Sequence, residues 1–214
     1  MLKVLGRLGI SDKTIAVAYD DMGGLWAARL FFILDYLGHP DSRLLEGGWQ
    51  KWVKEGRAVT KKAPRIRWVE FKAHPDANKV ATADWILNHL KDPGVKILDV
   101  RSPAEYSGEE ARAVRGGHIP GAVHIQWIES LNQGAITTLR DEGIKTFKGP
   151  EELRRLFEVA GITPDKEVAV YCHNLVRSAH TYFTLRLLGF PKVRGYDGSW
   201  AEWGNRQDLP VERG

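Results

Sequence analysis

Two stretches of this chain are near copies of one another, and that repeat limits the fold more than any other feature. "VAYDDMGGLWAARLFFILDYLGHPDSRLLEGGWQKW" (Val17 to Trp52) lies against "AVYCHNLVRSAHTYFTLRLLGFPKVRGYDGSWAEW" (Ala169 to Trp203). At a constant offset, Ala28 meets Ala179, Phe32 meets Phe183, Leu34 meets Leu185 and Leu37 meets Leu188. Gly38, Pro40, Arg43 and Gly47 meet Gly189, Pro191, Arg194 and Gly198, and Trp49 and Trp52 meet Trp200 and Trp203. Self-similarity of this kind marks one supersecondary unit used twice. Upstream of Ala28 the register slips by one. Tyr19 then meets Tyr171, and Asp20 falls on Cys172, the only cysteine of the chain.

Each copy reads as strand, loop, helix and strand. In the first, Ile15 to Tyr19 is expected as a short buried strand, Trp26 to Leu37 as a helix stopped by Gly38 and Pro40, and Arg43 to Leu45 as a strand. In the second, Val168 to Tyr171 is the central strand, Ala179 to Leu188 the helix and Lys192 to Arg194 an edge strand. Between them lie a helix from Thr82, a good N-cap, to Leu90, and a buried strand, Val95 to Val100. A helical turn at Pro103 to Tyr106, a strand at Val123 to Ile125 and an amphipathic helix at Lys148 to Ala160 follow. Alternating strands and helices predict an α/β fold, a parallel sheet covered by helices on both faces. Ligands of such sheets sit at the carboxyl ends of the strands, where Cys172 stands. The helical spacing of Trp49/Trp52 and Trp200/Trp203 after glycine predicts core or interface packing.

The copies differ in what precedes them. Cys172 has most of a domain before it, whereas Asp20 has 19 residues. The expected organisation is a partial unit over 1–60, a linker over 61–75 and a complete domain over 76–214. Either the chain continues a longer protein or a partner completes the first sheet. A bare half-unit exposes strand edges and apolar surface, which makes self-association an expectation.

Composition narrows the function. Of 214 residues, 43% are apolar and 27% charged, and no run approaches a membrane span. The N-terminus lacks the apolar centre of a signal peptide, and a single cysteine forms no internal disulfide, so a cytoplasmic setting is expected. The net charge is +4, but the charges are mixed in sign, and the one dense basic stretch, Arg57 to Arg67, reads as a solvated linker. Nucleic acid is therefore not expected as a partner, and the mild excess suits small anions. His118 in "GGHIPG", with His124 close behind, is too small a set for a metal and reads as a turn residue with a bonded ring. No metal or organic cofactor is implied.

The loop "CHNLVRS", Cys172 to Ser178, carries the chemistry. Backbone amides turning inward and a helix start favour a thiolate, and Arg177 adds a permanent cation. Cys172 is the expected nucleophile, with His173, Asn174, Leu175, Val176, Arg177 and Ser178 as its binding loop. The alternative is an inert buried cysteine.

Together "LDVRSPAEYSGE", "GGHIPGAVHI", "VYCHNLVRSAHTYF" and "GYDGSWAEWGNRQDLPVE" resemble the tandem-domain rhodanese sulfurtransferases, including thiosulfate and 3-mercaptopyruvate sulfurtransferases. The first half resembles that family's silent domain, where an Asp commonly takes the cysteine position, as Asp20 does. The resemblance implies a rhodanese-like fold and a ping-pong reaction. Cys172 takes a sulfane sulfur from thiosulfate or a related donor as a persulfide, and cyanide or a thiol removes it. Asp99, Arg101 and Glu105 are implied as supporting residues, Asp99 and Arg101 either shaping the site or only holding the loop. Three positions depart from the pattern. Many members have Gly at Leu175, thiosulfate-type members often have basic residues at His173 and Asn174, and several members have a substrate-binding Arg at Glu105, although some bacterial ones have an acid. A 3-mercaptopyruvate donor and a non-catalytic sulfur-responsive or partner-binding module stay open. Cysteine phosphatases of this fold need five residues between Cys and Arg, and here there are four.

Overall fold

The computed structural model describes residues 1–132 and 143–214. Helix α1 (Leu2–Arg7) precedes a parallel pair, β1 (Ala16–Ala18) and β2 (Ser42–Leu44), connected by α2 (Leu25–Tyr36) and followed by α3 (Gly48–Lys54). After an irregular stretch come β3 (Val80–Ala81), α4 (Ala83–His89), β4 (Val95–Asp99), α5 (Pro103–Ser107) and β5 (Val123–His124). A short antiparallel pair, β6 (Leu131–Asn132) and β7 (Thr146–Phe147), leads to α6 (Pro150–Val159). The chain ends with β8 (Glu167–Tyr171), α7 (Arg177–Leu187), β9 (Val193–Tyr196) and α8 (Ser199–Trp203). Five strands, in the order β3-β9-β8-β4-β5, form one parallel sheet.

Strand β8 lies at the sheet's centre because nearly every side chain it carries can be buried. Val168 and Val170 enter a core with Leu98, Phe157, Tyr182 and Leu185. Ala169 and Tyr171 enter the opposite core with Ile86, Ile97, Trp200 and Trp203. A strand's side chains alternate between its faces, so one short apolar run serves both cores. Local signals set the flanking helices. The Thr82 hydroxyl accepts the Trp85 amide at 3.1 Å and caps α4. Helix α6 opens on Pro150 with Glu151 and Glu152 in its first turn and buries Leu153 and Phe157.

Helix α2 packs onto α7, joining the first copy to the second. Phe32 meets Tyr182 edge-to-face at 5.0 Å and Phe31 meets Phe183 at 4.9 Å. The Tyr182 hydroxyl donates to Asp35 at 2.6 Å, and Leu25 and Phe32 belong to the main core.

Four expectations change. β9 is not an edge strand, because β3 pairs along it; two residues are too few to show a period in sequence. Helix α7 starts at Arg177 rather than Ala179. The stretch Ile15 to Tyr19 is buried on one face only: Ala18 is buried, whereas Ile15, Val17 and Tyr19 are 60%, 53% and 56% exposed. Among the described residues β1 pairs with β2 alone, whereas β8 has a strand on each side. Trp200 and Trp203 are fully buried, but Trp49 is exposed and lines a cleft with Val17, Tyr19 and Trp52. The irregular stretch divides into two parts. Residues 57–67 are exposed, while Phe71 packs on Leu5, Leu34 and Leu37, and the Val69 and His74 amides donate to Gly6 and Leu37.

Candidate active site

Cys172 directly follows β8 and is fully buried. The chain turns through His173, Asn174, Leu175 and Val176, and α7 begins at Arg177. The turn depends on Leu175, which has φ +57°. A left-handed conformation costs a non-glycine residue about 1–2 kcal/mol. Burial offsets it: the Leu175 side chain is fully enclosed, over Gly195 and beside Phe32. A Cβ on Gly195 would lie 2.6 Å from the Phe32 ring and 3.0 Å from Leu175 Cδ1, so glycine there makes the room.

The loop is held from its carbonyl side by α8. The Trp200 amide donates to the Cys172 carbonyl and the Ala201 amide to the His173 carbonyl, each at 3.0 Å. Ser199, with φ +50°, accepts the Leu175 amide at 3.2 Å, lies 3.5 Å from the Cys172 amide and donates to the Tyr196 carbonyl at 2.6 Å. Sequence reasoning missed Ser199. The signal was present, since "GSW" stands where the first copy has "GGW".

The first copy displays the same frame with a carboxylate in place. The Trp49 amide donates to the Asp20 carbonyl at 3.0 Å, as Trp200 does to Cys172. The Asp20 carboxylate accepts the amides of Met22, Gly24 and Trp26 at 2.8 Å and of Ala27 at 3.0 Å. In both loops a left-handed residue precedes the helix, Gly24 at φ +89° and Leu175 at φ +57°. Four amides converging on one anion make a nest.

Arg177 is not a free cation. Its Nη1 and Nη2 meet Glu105 Oε2 and Oε1 at 2.5 and 2.8 Å, a bidentate pair. Glu105 also accepts the Ser102 amide at 3.1 Å, closing the capping box of α5. Arg112 Nη1 stands 3.6 Å from Glu105 Oε1. Burial raises the Glu105 carboxyl, but Arg177, the Ser102 amide and Arg101 outweigh it and hold it at about 2. Burial opposes the Arg177 charge, while Glu105 and the negative charge of Cys172 favour it.

Asp99 and Arg101 form a buried pair, with Arg101 Nη2 2.5 Å from Asp99 Oδ2 and donating to the Gly117 carbonyl at 2.7 Å. The guanidinium lies 4.5 Å over Trp200 and 5.6 Å from the Tyr171 ring centroid. The pair therefore reaches the cysteine loop through Trp200. His173 is half-buried, with Nδ1 enclosed and unpartnered among the described residues. Burial, then Arg112, lowers its pKa. Asn174 is exposed, and Ser178 is fully buried. His118 is a bonded turn residue, its Nδ1 2.9 Å from the Tyr106 carbonyl and its ring stacked on Tyr106 at 3.8 Å. No described helix is long and apolar enough to cross a membrane, and no group of three or more potential metal ligands occurs among the described residues.

Residues 82–206 match the model of the rhodanese-like domain. The sulfur carrier protein TtuD of Thermus thermophilus is 42% identical, over 99% of this chain and 75% of its own length. The thiosulfate sulfurtransferase of Azotobacter vinelandii is 37% identical, over 98% of this chain and 73% of its own. Among solved structures, the anaerobic ergothioneine biosynthesis enzyme of Chlorobium limicola with trimethyl histidine superimposes with a TM-score of 0.84 at 29% identity, over 99% of this chain and 54% of that one. A complex of EanB with ergothioneine covalently linked to a cysteine persulfide gives 0.84 at 29%, with the same coverage. The chain thus spans about three quarters of the curated relatives' length and about half of these solved chains. A likeness that covers 98–99% of the chain, with a family match that includes the cysteine loop, places the chain in one group: it belongs to the rhodanese family of sulfurtransferases.

Proposed function

We propose that the chain transfers a sulfane sulfur from thiosulfate, or a related donor, to cyanide or a thiol through a persulfide on Cys172. One observation carries this reading: the backbone frame around Asp20 recurs around Cys172, the Trp200 amide donating to the Cys172 carbonyl as the Trp49 amide does to that of Asp20, with a thiol where the nested carboxylate stands. A nest that holds a carboxylate suits a thiolate and its persulfide equally. The amides of Arg177 and Ser178, at the start of α7, face the sulfur in this reading, while Ser199, which takes the Leu175 amide, and the Asp99–Arg101 pair hold the frame. The reaction begins with attack of the Cys172 thiolate on the outer sulfur of the donor. The donor's S–S bond breaks, sulfite leaves with the electron pair, and an acceptor nucleophile later removes the terminal sulfur. Relatives named thiosulfate sulfurtransferase support the donor.

A protein or small-molecule thiol as acceptor is favoured by the relative named as a sulfur carrier. The reading of 1–60 as a silent partial unit, 61–75 as a linker and 76–214 as the catalytic domain is supported by Asp20 filling the first nest. Intact mass after incubation with thiosulfate is the test. The protein should gain one sulfur atom, lose it to cyanide, and gain none as Cys172→Ala. No gain from thiosulfate or 3-mercaptopyruvate would overturn the reading.

A further inference from the structure

We propose that Glu105 sets how strongly the site discriminates sulfur donors by charge: by holding both terminal nitrogens of Arg177, it weakens the advantage of dianionic sulfane donors over singly charged ones. This rests on the sulfur-transfer reading of Cys172.

Arg177 is the cation of the cysteine loop, and its fork is engaged at 2.5 and 2.8 Å by a carboxylate that is only 4% exposed. Water screens such a charge weakly. The carboxylate is fixed in place, because swinging away would forfeit the Ser102 amide and hydroxyl at 3.1 and 3.2 Å and uncap α5. The neighbouring cations are engaged as well. Arg112 shares Glu105, and Arg101 is bound to Asp99. A donor arriving beside Cys172 therefore meets three guanidinium groups whose charge two carboxylates already reduce, Glu105 being shared by Arg177 and Arg112. Each negative charge it brings adds to that of the thiolate and of Glu105, and a dianion suffers this twice.

Thiosulfate and methanethiosulfonate isolate the effect. Each presents a terminal sulfur on a tetrahedral sulfur of similar size, but a methyl group replaces one oxygen and one negative charge. Attack by the Cys172 thiolate forms the same S–S bond in both. The donor's own S–S bond breaks, and sulfite or methanesulfinate leaves with the electron pair. Only the charge carried into the site differs.

The experiment measures kcat/KM for both donors, with cyanide as acceptor, in the wild type, Glu105→Gln and Arg112→Gln. Gln keeps the length and the capping acceptor and loses the charge. The ratio of thiosulfate to methanethiosulfonate should rise about tenfold in Glu105→Gln, the scale of one removed like charge nearby. It should fall about threefold in Arg112→Gln, where a half-exposed cation is lost. Both donors are read on one preparation, so the ratio is independent of the fraction folded. Ratios unchanged in both variants would overturn the proposal and leave sulfur transfer standing. Absence of sulfur on wild-type Cys172 with either donor would overturn both.

Discussion

The Ser199 hydroxyl accepts the Leu175 amide at 3.2 Å, and both residues stand at positive φ, +50° and +57°. Two left-handed residues 24 positions apart thus support each other across the cysteine loop. Ser199→Ala leaves the buried Leu175 amide without its acceptor, a loss of about 1–3 kcal/mol. Urea unfolding should show a lower midpoint with an unchanged slope, and sulfur loading of Cys172 should slow.

Leu175→Gly separates backbone strain from packing. Glycine relieves about 1–2 kcal/mol at the left-handed position. It also empties a fully buried leucine site beside Phe32, which costs about 3–5 kcal/mol. Packing should win, with a net loss of about 2 kcal/mol by chemical unfolding. A variant more stable than wild type would show that Leu175 is held by something other than its burial.

Acid stability should fall in two windows. Burial, against the Gly23 carbonyl and Asp20, depresses His180 from 6.5 to about 4, so the folded state holds it neutral. As pH falls below 6.5 the unfolded chain protonates first, and this part of the stability is lost progressively down to about 4. Glu105 is depressed from 4.5 to about 2, so its part is complete above 4.5 and is lost as pH falls towards 2. Unfolding midpoints measured from pH 2 to 8 should lose the upper window in His180→Phe and the lower one in Glu105→Gln.

Asp99→Ala leaves the Arg101 guanidinium buried without its carboxylate, a loss of about 3–5 kcal/mol. Asp20→Ala strips one acceptor from four amides and should lower the melting temperature while Cys172 still loads sulfur. Equal loss of sulfur loading in the two variants, at equal folded fraction, would contradict the different roles given to the two carboxylates.

Much of the site was legible in the chain itself. Cys172 and Arg177 stand where a strand runs out into a helix, a boundary that hydrophobic period reveals. Leu175 was visible as a side chain where many members have glycine, and its left-handed φ agrees. Ser199 was overlooked because a serine after glycine reads locally as a turn. The Glu105–Arg177 pair spans 72 positions, and neither residue's neighbours announce the other.

The self-similarity of the two stretches, the strand–loop–helix order and the cysteine at a strand exit can all be read along the chain. These depend on local periods and on residue types that turn or cap the chain within a few positions. Which strands lie at an edge, which tryptophans are buried and which cation is already paired depend on how the elements assemble. β9 gained a neighbour from β3, more than a hundred residues earlier, and β1 is open on one side because, among the described residues, β2 is its one partner strand. Burial and charge pairing belong to the assembled neighbourhood, where distant segments remove water from one another, and no local pattern records that event.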